Sequence, residues 1–181
     1  MKENLVITIK DKQFELFIKE ETILGAICDM SKLITTDLHD KNPLFICVLN
    51  GAFMFASDLM KLLDFPCEIA FIRLKSYSGT ASSGTVKEVV SLIEDVKNRH
   101  IVILEDIVDT GYTAQHLKRS MLENQPESLH FATLLFKPNA LQTDAYPDYV
   151  GMEIPDDFIV GYGLDYDGYG RNLRDIYKIK E

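Results

Sequence analysis

The chain has 181 residues, 46% of them hydrophobic, which suits one compact domain (1–181) with a sizeable core and a small appended flap. Its 28 acidic and 19 basic residues leave a net charge of −9, which argues against nucleic acid and anionic membrane as partners, so an anionic ligand must be held by local donors and metal. Cys28, Cys47 and Cys67 lie in apolar surroundings without a short pair spacing and are expected as reduced core thiols; the N-terminus has no long apolar stretch and no segment approaches a membrane span, so a cytoplasmic protein is expected.

Leu5 to Ile9 alternates weakly and reads as a short edge strand. Thr22 can cap a helix in which Ile23, Ile27, Met30, Ile34 and Leu38 recur at spacings of three and four, a stripe expected to cover a sheet face and to carry no chemistry. His39, at its polar end, is expected to be solvated. Leu44 to Leu49 is an apolar run of strand length, stopped by Asn50-Gly51 and followed by helical periodicity from Ala52 to Leu63. A strand, a tight turn and a helix can present free backbone N–H groups to a phosphate; an ordinary βα loop has the same layout. Glu68 to Leu74 reads as the next strand. The segment from Lys75 to Thr85 contains almost nothing apolar and cannot bury enough surface to order itself, so it is either an idle hairpin tip or a lid over about 75–86. Val86 to Ile93 is expected to be the strand that returns from it.

Ile101 to Leu104 is an unbroken apolar run, as a strand buried on both faces of a parallel sheet requires, and the expected strand stops at Glu105-Asp106. Acids at that edge of an α/β sheet are placed to face ribose hydroxyls or a hydrated Mg²⁺. Asp109-Thr110-Gly111-Tyr112-Thr113 then offers hydroxyls, backbone donors and a glycine that permits close approach, leading into a helix from Ala114 to Asn124. An isolated acid pair at a strand end is most simply solvated. Acids for a sugar and metal, followed one turn later by a phosphate cradle, form a far more specific order. Leu129 to Phe136 is a further strand, and Lys137 follows it on the same sheet edge as Glu105 and Asp106. His116 and His130 have no partners at metal spacing and read as structural. Phe136 and six aromatics from Tyr146 to Tyr169 lie among many Asp and Gly residues, a composition suited to holding a flat base. Pro147 to Pro155 and Phe158 to Tyr166 read as two paired strands with their exit loop, and Arg171 to Arg174 as a basic cluster returning towards a diphosphate.

The stretch from Ile101 to Thr113, an apolar run followed by Glu-Asp, two residues, Asp-Thr-Gly and a closing Thr, resembles the phosphoribosyl-diphosphate signature of the type I phosphoribosyltransferases. Lys137, Pro147-Asp148 with Val150-Gly151, Val160-Gly161-Tyr162 with Leu164-Asp165-Tyr166, and Tyr169 with Arg171-Asn172-Leu173 are similar in order to the 6-oxopurine branch. The resemblance covers nearly the whole chain from about residue 44. It implies an α/β fold with a mostly parallel central sheet, flanking helices, a flexible β flap and a small hood formed mainly by 137–181 with N-terminal residues. The implied activity is Mg²⁺-dependent transfer of ribose 5-phosphate from phosphoribosyl diphosphate to N9 of hypoxanthine, and of guanine, releasing diphosphate. A homodimer or homotetramer is implied as well.

By the same resemblance, Glu105 and Asp106 hold the ribose hydroxyls and Mg²⁺, Asp109 accepts the proton at purine N7, and Asp109 to Thr113 take the 5-phosphate. Lys137 donates to the 6-oxo group, Phe158 stacks on the base and the Ile159 backbone reads its edge. Asp165 lies at the purine and supports a second Mg²⁺. Asn50, Gly51, Ser76, Tyr77 and Arg171 face the diphosphate, with Ser76 and Tyr77 on the lid that must exclude water from a cationic sugar. Asn50 departs from the family, which usually carries a Lys there, and a cis peptide at Leu49-Asn50 is implied. Two rival classes remain at this level. A ligand-sensing regulator on the same fold would need a nucleic-acid surface, against which the net charge of −9 argues. A synthetase of phosphoribosyl diphosphate would need an ATP site, and the sequence has no Gly-rich Walker loop.

Overall fold

A computed structural model describes residues 5–76, 86–90 and 95–180, with the side chains of 75–76 and 86–90 left aside. Its elements in chain order are β1 (Val6–Ile9), β2 (Lys12–Ile18), α1 (Glu20–Leu38), β3 (Leu44–Leu49), α2 (Phe53–Met60), β4 (Glu68–Ser76), β5 (Val86–Val90), β6 (His100–Val108), α3 (Tyr112–Leu122), β7 (Ser128–Phe136), β8 (Tyr149–Glu153), β9 (Ile159–Val160) and β10 (Ile176–Ile179). Six strands form one sheet in the order β5-β4-β3-β6-β7-β8, parallel except for β5 on its edge, and β1-β2-β10-β9 form a separate antiparallel sheet. This is the mixed α/β architecture with a parallel five-strand sheet that the apolar runs lead one to expect.

The continuous apolar runs are explained by helices on both faces. Phe45 and Cys47 of β3 and Val102 and Leu104 of β6 pack with α1 and α2, while Leu44, Ile46, Val48, Ile101 and Ile103 pack with Ala114, Leu117 and Met121 of α3. Alternate residues of one strand thus enter opposite cores, and every position must be apolar. The α1 stripe Ile23, Ile27, Met30, Ile34 and Leu38 is fully buried as expected, each side chain contributing about 1.5–3 kcal/mol relative to exposure. A charge at Ile27 would break that face.

Several elements differ from expectation. α1 begins before Thr22: its N-cap is Lys19, with no side-chain cap, and the free N–H of Glu20 donates to Asp175 Oδ1 at 2.8 Å instead. A carboxylate from the far end of the chain thus satisfies a donor left over at the helix start. α2 is shorter than Ala52 to Leu63. β6 does not stop at Glu105-Asp106 but continues to Val108, because β7 lies alongside and pairs Glu105 with Thr133, Ile107 with Leu135 and Val108 with Phe136. The segments from Pro147 and from Phe158 are not paired with each other: β8 joins the large sheet beside β7, and β9 pairs with β10 in the small one. β2 and β10 had no counterpart in the sequence reading. Residues 77–85 and 91–94, which hold most of the expected lid and the end of its return strand, lie outside the described residues.

The chain order of the large sheet places β3 and β6 side by side, with β4 on one flank and β7 on the other. This is the point at which connections leave in opposite directions, and the carboxyl ends of such strands form the crevice in which ligands bind. Asn50-Gly51 follows the end of β3, and Asp106 lies two residues before the end of β6.

Candidate active site

Gly51 and Asp106 meet at that crevice. A Cβ on Gly51 would lie 1.5 Å from Asp106 Oδ2, so the carboxylate occupies the space that any other residue at 51 would fill. From above, Gly163 (φ +98°) closes on the same point, with an ideal Cβ only 2.0 Å from the Gly51 carbonyl. The β3 turn, the β6 acid and the loop after β9 are therefore in mutual contact because two glycines permit it. The Leu49–Asn50 peptide is cis, as the resemblance implied.

Asp106 keeps one carboxylate oxygen on the Ile107 N–H at 2.9 Å, and Glu105 Oε2 is buried with no hydrogen-bond partner among the described residues. Burial, more than the charge of its neighbour Asp106, pushes the Glu105 carboxyl well above the usual range. Burial likewise drives Asp106 up to about 6 against the Ile107 N–H and the Arg171 guanidinium, which favour its charged form. A buried carboxylate pair with an unmet oxygen is poised to receive hydroxyls or a hard cation. Among the described residues no three His, Cys, Asp or Glu side chains form a cluster that could hold a metal alone. A cation here would share its shell with ligand oxygens and water.

Beyond the acids, Gly111 adopts φ +84° and caps α3, and a cleft of about 230 Å³ is lined by Glu105, Ile107, Val108, Asp109, Thr110, Gly111, Thr113 and Ala114. The left-handed turn aims this loop at the helix start, where the first backbone N–H groups have no partner within the helix, an arrangement that receives a phosphate. Tyr112 faces the other way: its ring is half exposed, its hydroxyl meets Gln142 Oε1 at 3.1 Å, and it does not line the cleft. The loop is held from behind, since the Gln142 N–H donates to the Thr110 carbonyl at 3.0 Å and a Cβ on Gly111 would strike Thr143.

Lys137 is 7% exposed, and its Nζ lies 3.1 Å from Asp109 Oδ2. The strand end fixes it, because its N–H donates to the Val108 carbonyl at 2.9 Å. One buried ammonium and one carboxylate thus stand side by side at the start of the 109–113 loop, a donor and an acceptor for adjacent atoms of a ligand. Phe158 is half exposed just before β9 of the small sheet and meets Tyr166 edge-on, centroids 6.0 Å apart, with Phe14 behind both. Ile179 N–H donates to the Phe158 carbonyl, so ladder alternation turns the N–H and C=O of Ile159 away from β10, towards the free edge of the sheet.

Arg171 Nη2 pairs with Asp165 Oδ1 at 2.5 Å, and its Nη1 donates to the Gly163 carbonyl at 2.6 Å; Asp165 also accepts from the Gly168 N–H at 2.6 Å. Arg174 departs from the expected basic cluster and points at Glu20, 3.7 Å away. Tyr77 and the side chain of Ser76 lie outside the described residues. Of the aromatics read as a base-holding set, Tyr149 and Tyr162 are buried in the core, their hydroxyls on Asp37 and Asp58, and Phe136 is buried too. Tyr146 lies on the outer surface near Lys118, beside a larger cavity of about 730 Å³ that touches none of the groups above. Gly163 and Asp58 were not among the expected site residues, and Tyr162 was expected only as one of the base-holding aromatics; the Gly-Tyr-Gly triplet at 161–163 was the signal that could have found Gly163. The three cysteines are free thiols, but only Cys47 is a core residue: Cys67 is partly buried against the core and Cys28 is half-buried. No described helix is long and apolar enough to cross a membrane.

A profile of the phosphoribosyl transferase domain matches residues 18–167. The hypoxanthine-guanine phosphoribosyltransferase of Aquifex aeolicus is 35% identical over 175 residues, covering 96% of this chain and 98% of its own. That of Lactococcus lactis is 39% identical over 165 residues, 90% of each chain. The solved hypoxanthine phosphoribosyltransferase of Staphylococcus aureus superposes with a TM-score of 0.88 at 37% identity, covering 92% of this chain and 91% of that one.

Proposed function

The chain belongs to the phosphoribosyltransferase family, and we propose that it is the purine-salvage enzyme that converts hypoxanthine, and guanine, with 5-phosphoribosyl 1-diphosphate to IMP or GMP and diphosphate. The observation that carries this reading is the pairing of Lys137 with Asp109 at the cleft of the 109–113 loop. A buried ammonium offers a hydrogen bond to a 6-oxo group and repels a 6-amino group, while the neighbouring carboxylate accepts the proton that leaves N7. In the reaction the purine N9 bonds to C1 of the ribose as the C1–O bond to diphosphate breaks, with inversion. The sugar passes through a cationic, oxocarbenium-like state, so the chain's tasks are positioning and electrostatics.

The 5-phosphate rests on the backbone of Asp109, Thr110, Gly111, Tyr112 and Thr113, and the ribose hydroxyls on Glu105 and Asp106. Phe158 stacks on the base, with the outward-turned backbone of Ile159 and Asp165 at its edge. Asn50, Gly51, Ser76, Tyr77 and Arg171 face the diphosphate. The unmet Glu105 Oε2 and the buried Asp106 carboxyl fit a hard cation, so Glu105 and Asp106 would hold one Mg²⁺ and Asp165 a second. Mg²⁺ when bound neutralises charge growing on the leaving diphosphate. The same reading makes the chain one domain with a lid over 75–86 and a hood over 137–181, working in the cytoplasm as a homodimer or homotetramer.

The test is nucleotide formation from phosphoribosyl diphosphate with hypoxanthine, guanine, xanthine and adenine supplied separately, with and without Mg²⁺. Product from hypoxanthine or guanine, none from adenine and none without Mg²⁺ is the expected result. Binding of phosphoribosyl diphosphate without conversion of any base would favour a ligand-sensing role for the fold.

A further inference from the structure

Tyr162 has a backbone conformation that a residue with a side chain rarely adopts, φ +48°, yet its ring is fully buried and its hydroxyl donates to Asp58 Oδ2 at 2.5 Å. Asp58 lies on α2, the helix that follows the Asn50-Gly51 turn, and its other oxygen holds Lys61 Nζ at 2.7 Å. Burial works to raise the Asp58 carboxyl, but the hydrogen bonds from Lys61 and Tyr162 hold it below its ordinary value, so it stays charged; burial keeps the Tyr162 phenol protonated. A neutral donor on a charged acceptor is one of the stronger hydrogen bonds available to a protein.

The residue after Tyr162 is Gly163, through which two parts of the site are joined. Its Cα leaves no room for a side chain against the Gly51 carbonyl, its N–H donates to the Arg171 carbonyl at 3.0 Å, and its own carbonyl receives the Arg171 guanidinium at 2.6 Å. The Tyr162 N–H is fixed in the same way on the Leu173 carbonyl at 2.9 Å. The position of Gly163 therefore sets both the Gly51 turn and the Arg171 fork, and Tyr162 is the side chain that sets Gly163.

We propose that the Tyr162–Asp58 hydrogen bond is a latch between the hood loop and α2, and that both are positioning residues which hold Gly51 and Arg171 in register for the diphosphate of the substrate. The inference rests on the reading of the site given above. It predicts a division that a purely structural tyrosine would not produce: ligands bearing a diphosphate depend on the latch, whereas a nucleoside monophosphate, which occupies the 109–113 loop and Lys137, does not.

The experiment is calorimetric binding of phosphoribosyl diphosphate with Mg²⁺, and separately of IMP, to the intact protein and to Tyr162→Phe and Asp58→Asn. Tyr162→Phe removes one oxygen and should weaken phosphoribosyl diphosphate roughly tenfold while IMP stays within about twofold. Asp58→Asn, which keeps an acceptor but loses the charge, should fall between. Equal weakening of both ligands, or unchanged affinity for both in a folded variant, overturns the latch. If Tyr162→Phe does not fold, the same comparison on Asp58→Asn decides. Failure of the parental protein to bind either ligand would instead overturn the functional reading.

Discussion

Gly51→Ala tests whether the β3–β6 crevice is the site, because one added methyl group reaches it directly. The Gly51 φ lies outside the left-handed range, so the backbone itself tolerates alanine and the effect must come from contact. The new Cβ would stand 1.5 Å from Asp106 Oδ2 and 2.4 Å from its Cγ, so the carboxylate must retreat by about 2 Å, from 1.5 to 3.4 Å, before the contact becomes ordinary. A displacement of about 1 Å in a positioning group costs on the order of a hundredfold in rate, so kcat/KM for phosphoribosyl diphosphate should fall by at least about 100-fold, or ~3 kcal/mol of transition-state stabilisation. Overpacking itself costs about 1–3 kcal/mol, which for a chain of this size lowers Tm by about 2–12 °C. The assay pairs steady-state nucleotide formation at saturating Mg²⁺ with a thermal melt. A folded variant whose turnover lies within twofold of the parent would show that the Asp106 carboxylate need not stand where it does, and the reasoning from this contact would fail.

Replacing the proton acceptor by Asp109→Asn should lower kcat by about 10²- to 10⁴-fold with IMP affinity largely kept; unchanged turnover removes Asp109 from the mechanism. Lys137→Ala should relax the preference for 6-oxo over 6-amino purines, read as the ratio of kcat/KM for hypoxanthine and adenine, and a retained ratio points to a different reader. The raised Glu105 and Asp106 carboxyls make the native chain the better proton binder, so their contribution favours folding at acid pH, and that of Asp106 is lost as pH rises through about 6. Protons and Mg²⁺ compete for these oxygens, so apparent Mg²⁺ affinity in the presence of phosphoribosyl diphosphate should fall between pH 7 and pH 5; a flat titration across that window contradicts the assignment. Gly25→Ala, on an exposed turn of α1 with nothing within 4 Å of the new methyl, should raise stability by about 0.5–1 kcal/mol in a denaturant melt and leave turnover unchanged.

The parts of the fold legible in the sequence were those fixed by neighbours along the chain. The runs at 44–49 and 101–104 are apolar throughout because both faces are covered, and the acids and glycine of 105–113 sit in a strand–loop–helix unit that is contiguous in sequence. What escaped was decided over long separations. β2 places Phe14 and Leu16 in the small core and Phe17 and Ile18 against the large one, a weak pattern, and it is completed by β10 from the opposite end of the chain. Thr22 lost the helix start to Lys19 because Asp175 satisfies the Glu20 N–H from 155 positions away. β8 and β9 read as mutual partners until their real ones, β7 and β10, are known. In the candidate site, Glu105, Asp106, Asp109 and Lys137 were legible as residue types at strand ends and Phe158 was singled out from the other aromatics only through the resemblance, whereas Tyr162 reads as one more aromatic until its hydroxyl is seen on Asp58. Composition alone cannot separate an aromatic that faces a base from one that closes a core.

The most direct test of the account is a crystal structure of the protein with IMP. The 5-phosphate should lie on the backbone N–H groups of residues 110–113, with Lys137 Nζ within hydrogen-bond distance of O6, Asp109 beside N7 and Phe158 against the ring. IMP bound elsewhere, such as in the cavity on the outer face of α3, or bound at the cleft with its base turned away from Lys137, would contradict it.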